Sequence, residues 1–285
     1  MTRRRLIAAA GAGLLLAGCA QTRRSVPLSP ELLHSGIRLQ RSLPAVLPSG
    51  AQVLPQAQLV LLPGESAAGM LMPVPFVAEA IGAAMDRSEA ASEATQLAGV
   101  HPFMLAQQAW TGSALLSGSP DALQLQPFAF LQACVDDRYR VALVHQLSRA
   151  DWIARYTVHL PSSYDSAAFH KVTPALLQTL EAEMREGSAI LRRLVERGAR
   201  GELQAGSGAT IQRADIGSLH LVGNRAAGLV SPTLVLARGA ELIEQDGDHV
   251  LVRMDGDPSQ PASAGGLFFG VHWLRRDQLH TFRRL

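Results

Sequence analysis

The feature that most constrains this fold is a run of alternating apolar and polar residues between 123 and 160. Alternation with a period of two is typical of β-strands that bury one face. Turn signals at Asp136-Asp137 and from Ser148 to Asp151 divide the run into three strands. The pattern therefore predicts a three-stranded antiparallel β-meander.

The two faces of this meander differ in polarity. Pairing Leu147 with Trp152 gives one apolar face, which we predict to be the core: Tyr139, Val141, Leu143, His145, Leu147, Trp152, Ala154, Tyr156, Val158 and Leu160. The other face is a mixture that suits half-exposure or a second packing layer: Arg140, Val144, Gln146, Ile153, Arg155, Thr157 and His159. We interpret His145 as a hydrogen-bonded core histidine rather than a ligand, because it lies on the apolar face.

Two stretches have the periodicity of amphipathic helices. The first runs from about 75 to 96, with an apolar stripe formed by Phe76, Val77, Ala80, Ile81, Ala84 and Met85. The second begins at Thr173-Pro174, a capping hydroxyl followed by a proline at the first helical position, and we expect Gly198 to end it. Its apolar stripe predicts that it packs on the meander.

Residues 205–285 alternate short strand-like runs with glycine turns, and Gln245-Asp246-Gly247-Asp248 is a strong hairpin signal. The sequence thus predicts an α+β fold: an antiparallel β-meander packed by two helices, followed by an all-β C-terminal region. Residues 238–282 resemble bacterial SH3-like domains, in which a Gly-led strand, a Gly-Asp turn and a Gly-x-x-Trp segment precede a short helical turn. Gly270 matches the glycine of that segment; an ordinary antiparallel meander is the alternative.

The amino terminus has the organisation of an export signal. Arg3, Arg4 and Arg5 precede an apolar run that ends in Leu16-Ala17-Gly18-Cys19. This motif resembles a bacterial lipobox, which implies cleavage between Gly18 and Cys19 and acylation of Cys19. The run is shorter than the roughly 20 apolar residues that a membrane span needs. A looser resemblance to twin-arginine signals leaves the export route open.

No aspartate follows Cys19, and this resembles lipoproteins that two-membrane bacteria pass to the outer membrane. We therefore expect a lipid-anchored protein of the cell envelope, on the outer membrane and facing the periplasm. The predicted organisation is a signal peptide (1–18), a Pro-rich tether (19–63), an α+β domain (64–200) and the all-β region (205–285). Within the tether, Ala51 to Leu62 is apolar enough for one or two edge strands.

Composition restricts the partners. The chain has 26 basic and 24 acidic residues, and without its first 18 residues it has 23 and 24, so a nucleic-acid partner is not indicated. Cys134 would be the one thiol left after lipidation of Cys19. No internal disulfide is then expected, and we predict that Cys134 is a buried small hydrophobe; a nucleophilic cysteine is the alternative.

No catalytic, cofactor-binding or metal-binding motif is recognised. No two histidines have the spacing of a zinc site, and the acidic pairs Asp136-Asp137 and Asp246/Asp248 fall in predicted turns. His272, Trp273, Arg275 and Arg276 could line a binding surface, although a strand end with one buried face is the simpler interpretation.

Three functions are compatible with these observations. The first is a non-enzymatic, lipid-anchored protein that binds or scaffolds another envelope component. The second is an envelope enzyme, hydrolase-like, in which His145 or His159 meets Asp, Glu or Ser in a pocket. The third is a module that binds the cell wall through its C-terminal region.

Overall fold

A computed structural model describes residues 25, 28–55, 57–62, 100–133, 138–165, 172–204, 213–218, 235–260, 266–275 and 279–284. These residues form a mixed α/β fold with one large sheet and two helices. The helices are α1 (Pro102–Trp110) and α2 (Pro174–Ala199). The strands are β1 (Ile37–Leu39), β2 (Gln52–Leu54), β3 (Leu59–Leu62), β4 (Leu123–Ala133), β5 (Arg138–Arg149), β6 (Trp152–Asp165), β7 (Arg213–Ser218), β8 (Val235–Asp246), β9 (His249–Met254), β10 (Gly270–Arg275) and β11 (Leu279–Arg284).

The described strands join in one sheet, in the order β11-β7-β8-β9-β10-β6-β5-β4-β3-β2, with β1 also paired to β4. Pairs β4–β5 and β5–β6 are antiparallel. However, β1 and β3 run parallel to β4, and β10 runs parallel to β6. The sheet as a whole is therefore mixed rather than antiparallel, because three strands reach their neighbours through long connections rather than hairpins.

The segment before β4 is built into this sheet. β1 and β3 share one edge of β4: Ile37 is opposite Leu123, and Leu59 is opposite Ala129. Apolar side chains from this segment, including Leu28, are buried. The expected strands within 51–62 are present as β2 and β3. From Leu28 onward, the segment predicted as a tether thus contributes to the core.

The turn between β5 and β6 is tighter than expected. Leu147 pairs with Ala154, and Arg149 pairs with Trp152, so only Ala150 and Asp151 form the turn. Ala150 has a φ of 49°, a conformation that suits a two-residue hairpin turn. The predicted register was wrong by two residues, and a shift of two leaves each side chain on its predicted face.

Helix α2 covers the predicted core face. One of the free N–H groups in its first turn is capped by the Thr173 hydroxyl, which accepts from the Leu176 amide at 3.2 Å. Gly187 lies against Leu143 and Leu160, where the absence of a β-carbon brings helix and sheet close together. The helix ends at Ala199 rather than Gly198, and Gly201 takes the positive φ of 72° just beyond it.

Helix α1 covers the same face and was not predicted. Its N-cap residue His101 makes no side-chain cap. Instead, Gln58 Oε1 accepts from the Phe103 amide at 3.1 Å, and Gln58 Nε2 donates to the Arg41 carbonyl at 2.6 Å. The predicted helix at 75–96 lies outside the described residues. Neither α1 nor α2 combines the length and apolar character that crossing a membrane requires.

The second face of the sheet is buried as well. A row of paired, buried side chains crosses six strands on this face: Phe128, Val144, Thr157, His272, Val252 and Leu242. The face is covered by the segment containing Leu43 and Leu47 and by a short 3-10 turn at Gly266–Phe268. Of the two options for this face, a second packing layer is the one observed.

The predicted α+β domain and all-β region share this sheet through β6 and β10. Val271 is opposite Tyr156, and Trp273 is opposite Val158. Gly270 enters β10 with a φ of 108°, and a β-carbon there would lie 2.2 Å from the Arg155 carbonyl oxygen. Only glycine allows this backbone conformation and this close approach. The predicted boundary between 200 and 205 does not separate two sheets.

Candidate functional site

The residues with the clearest predicted chemistry, Gly18 and Cys19, lie outside the described residues. The same is true of Cys134, the Asp136-Asp137 turn and Arg276. Their predicted roles in signal cleavage, lipidation, core packing and binding therefore stay predictions. Asp246 ends β8, and Gly247 and Asp248 form the turn before β9, as the hairpin signal predicted.

His145 is buried against α1. Its Nδ1 accepts a hydrogen bond from the Trp110 indole at 3.5 Å, and the two ring centroids are 6.2 Å apart. Burial lowers the pKa of His145 to about 3, so the ring is neutral at pH 7. This confirms the prediction of a hydrogen-bonded core histidine. The contact does not bring His145 to an Asp, Glu or Ser side chain.

Five of the buried polar side chains on the second face form what we call the polar layer: Gln146, Arg155, Thr157, His159 and His272. At its centre His159 Nε2 and His272 Nδ1 are 3.1 Å apart and share a hydrogen bond. The pairing of β6 with β10 brings the two rings together, because Thr157 is directly opposite His272. Phe268 stacks over His159 with a centroid separation of 6.5 Å.

Both histidines of this pair are neutral at pH 7. Burial, assisted by the positive charge of Arg140, lowers the pKa of His159 to about 4. Burial also lowers the pKa of His272, and His159 and Arg155 add to the effect, while hydrogen bonding to the backbone of Phe269 and Phe268 opposes it. In a neutral pair, one ring nitrogen can donate its proton to the other. If either ring were protonated, its positive charge would be repelled by the nearby Arg155 guanidinium.

Arg155 is fully buried, and its contacts among the described residues are with neutral groups. Its Nε and one terminal nitrogen donate to Gln146 Oε1 at 3.2 and 3.1 Å. Its other contacts join the strand to the covering segments: Nη1 donates to the Gly266 carbonyl at 3.0 Å, and Nη2 to the Val46 carbonyl at 3.5 Å. Burial lowers the pKa of Arg155 to about 9, which still leaves the guanidinium charged at pH 7.

The guanidinium also lies 5.6 Å from the centroid of the Phe130 ring, a cation–π distance. Its hydrogen bonds and this contact compensate the charge in place of a carboxylate. Arg155 therefore fastens the 3-10 turn and the segment around Val46 onto the sheet. In the described contacts, Arg155 stabilises the packing of these two covering segments on the second face of the sheet.

The polar layer lacks the access that catalysis or ligand exchange needs. Its five side chains are buried beneath Phe268 and the Val46 segment. Within the described ranges, no group of three or more His, Cys, Asp or Glu side chains is placed to hold a metal ion. An apolar pocket on the opposite face, lined by Leu59, Val100, Leu131, Val141, Leu180 and Met184, holds about 10 Å³, roughly the space for one water molecule.

The predicted surface around Trp273 is divided between the two faces of β10. His272 points into the polar layer, whereas Trp273 is half-buried on the other face and stacks on His249 with centroids 5.0 Å apart. This agrees with the simpler interpretation, a strand with one buried face.

The sequence placed Arg155, Thr157 and His159 on one face but did not reveal their partner His272. The only available signal was the alternation of β10 itself, in which His272 and Leu274 share a face. Comparisons with family models, curated proteins and solved structures found no match to this chain.

Proposed function

We propose that this protein is a lipid-anchored component of the cell envelope with a non-enzymatic binding or assembly role, held at the outer membrane and facing the periplasm. The observation that carries the proposal is the motif Leu16-Ala17-Gly18-Cys19 behind three arginines and an apolar run. Several acyl chains on one residue make membrane attachment stable, because each buried methylene contributes about 0.8 kcal/mol.

The arrangement of the polar layer supports the non-enzymatic part of this proposal. General acid–base catalysis needs a titratable group near its reaction pH and within hydrogen-bonding reach of a substrate. His145, His159 and His272 are instead buried, and their pKa values are lowered away from neutrality. Each has a partner that explains its position, Trp110 for the first and the other histidine for each of the pair.

The lipid anchor is tested by metabolic labelling with an alkyne analogue of palmitate. The wild-type chain should take up the label and sediment with membranes, whereas Cys19→Ser should lose both properties. Cys134→Ser is the matched control and should keep both. Label retained by Cys19→Ser, or a wild-type chain that takes up none, would contradict the proposal.

The binding role is tested by cross-linking whole envelopes and purifying the lipidated protein and its Cys19→Ser variant in parallel. We expect a defined envelope protein to be enriched several-fold with the lipidated form, as quantified by mass spectrometry. Identical profiles for the two forms would count against an assembly role at the membrane.

The resemblance of residues 238–282 to SH3-like domains stays a prediction, and with it a cell-wall partner. β8 and β9 form the expected hairpin, and Gly270 occupies a position that requires glycine. Sedimentation with purified cell wall tests this partner. The full-length chain is used, because β10 depends on β6 for its pairing.

A further inference from the structure

Among the described residues, the first that contacts the fold is Ser25. Its backbone N–H donates a hydrogen bond of 2.7 Å to Asp255 Oδ1, and Ser25 is itself buried. Asp255 follows β9 and opens the loop 255–260. A second contact ties this loop to the N-terminal segment, since the Ser49 amide donates to the Ser259 carbonyl at 2.9 Å.

Six residue steps separate Cys19 from Ser25. A fully extended chain advances by at most about 3.5 Å per residue, so these steps span no more than about 20 Å. If Cys19 is acylated, its backbone lies at the level of the lipid headgroups. Ser25, and with it Asp255, then lies within about 20 Å of the bilayer surface.

We propose that the surface of the loop 255–260, to which Ser25 is hydrogen-bonded, faces the membrane, and that its partner is the phospholipid headgroup layer. The proposal rests on the lipidation proposed above and adds an orientation to it. The fold would sit against the bilayer by this surface rather than hang from a long tether.

The two ends of β9 provide one position near the proposed surface and one far from it. Asp255 follows one end of the strand, and the Gly247-Asp248 turn precedes the other. The six residues of β9 advance about 3.3 Å each, so the turn lies roughly 20 Å from the loop. The exposed Asp248 thus marks a part of the surface well away from Ser25.

Charge at the proposed surface is compatible with headgroups. The five-residue spacer between Cys19 and Ser25 includes Arg23 and Arg24, two positive charges that anionic lipids attract. The loop also carries two carboxylates, and both accept hydrogen bonds. The exposed Asp255 accepts from the Ser25 amide at 2.7 Å, and Asp257 Oδ1 accepts from the Ser259 amide at 2.9 Å and from the Ser259 hydroxyl.

The experiment uses the lipidated full-length chain in vesicles of phosphatidylethanolamine and phosphatidylglycerol. A photoreactive benzophenone amino acid replaces the exposed Ser259 in one variant and the exposed Asp248 in the other. After irradiation, adducts with radiolabelled lipid are counted. We expect several-fold more lipid adduct from position 259 than from position 248. Equal yields, or more adduct from position 248, would overturn the proposed orientation.

A longer spacer supplies the matched control. Insertion of about 30 Gly/Ser residues between Gln21 and Thr22 adds an r.m.s. span of roughly 30 Å without changing the fold. It should reduce the adduct at position 259 to the level found at position 248. An adduct yield at position 259 that the insertion does not change would also overturn the orientation.

Asp255→Ala is a milder variant of the same test. It removes the acceptor of the Ser25 amide. Leu28 is the next buried residue among those described, so release of Ser25 would lengthen the spacer by up to three residues. The adduct at position 259 should fall between the wild-type and insertion values. A chain that carries no acyl group would instead overturn the proposed function itself, and mass spectrometry of the purified protein distinguishes this case from a lipidated chain in another orientation.

Discussion

At the scale of single residues, Gly270 determines whether β10 can lie beside β6. It combines a φ of 108° with a position where a β-carbon would meet the Arg155 carbonyl oxygen at 2.2 Å. The obstacle is backbone, which cannot rotate away as a side chain can. The resemblance to SH3-like domains singled out this glycine from the sequence, but its partner strand was not foreseen.

We expect Gly270→Ala to lower the free energy of unfolding by about 3 kcal/mol, through backbone strain and displacement of β10. Gly247→Ala is the matched control, because Gly247 also has a positive φ, 53°, but no atom within 4 Å of an added β-carbon. That control should cost about 1 kcal/mol. Urea denaturation measures both, and equal losses would show that the contact with Arg155 is unimportant.

The buried histidines predict a dependence of stability on pH. Burial lowers the pKa values of His145 and His159 to about 3 and about 4, from the ordinary histidine value of 6.5. Above pH 6.5 the rings are neutral in the folded and unfolded chains alike and contribute nothing. Below pH 6.5 the unfolded chain binds protons that the folded chain does not, so stability falls as pH decreases toward 4, by about 1.4 kcal/mol per pH unit for each histidine.

His145→Phe removes one of these protons and keeps a ring beside Trp110. We expect the variant to lose stability less steeply than the wild-type chain between pH 6.5 and pH 4, by about 1.4 kcal/mol per pH unit. Urea denaturation at a series of pH values measures the slope. Parallel slopes for the two proteins would contradict the assignment of a buried neutral His145.

At the scale of elements, the two helices show what local sequence can predict. Helix α2 was predicted because its cap, its proline at the first position and its apolar stripe all lie within one stretch. Helix α1 has nine residues and no cap of its own, and its first turn depends on Gln58, which lies 45 residues before Phe103. A cap supplied from the distant turn between β2 and β3 leaves no local signal.

Gln58→Ala should therefore destabilise the protein by about 2 kcal/mol, because the Phe103 amide loses its acceptor and the Arg41 carbonyl loses its donor. Gln108→Ala, at an exposed position of α1, is the control and should change stability by no more than about 0.5 kcal/mol. Chemical denaturation gives both values. A Gln58→Ala chain as stable as the control would show that α1 does not need this cap.

The polar layer illustrates a limit of prediction at the same scale. Alternation correctly assigned Arg155, Thr157 and His159 to one face of β6. The pairing with His272 depends on the parallel contact between β6 and β10, which are 113 positions apart at the two histidines. Periodicity assigns faces within a strand, whereas the order of strands in a sheet is set by packing of the whole chain.

At the scale of the whole molecule, the pairing of β6 with β10 joins two regions, 64–200 and 205–285, that the sequence pattern had separated. We expect the fragment 205–285 to be unfolded when expressed by itself, because β10 would lose β6 as its partner and the layer beneath Phe268 would be incomplete. The intact chain should unfold in one cooperative transition. Circular dichroism and heteronuclear NMR test the fragment, and a dispersed, stable spectrum would contradict this expectation.

The parallel contact between β6 and β10 also affects the order of folding. Tyr156 must find Val271, so the loop to be closed contains more than one hundred residues. Contacts of such high sequence separation slow folding, because the entropy of closure is lost before the contact forms. A chain synthesised from its amino terminus lacks the partner of β6 until its last sixteen residues are made. We therefore expect nascent chains truncated before Gly270 to remain sensitive to protease.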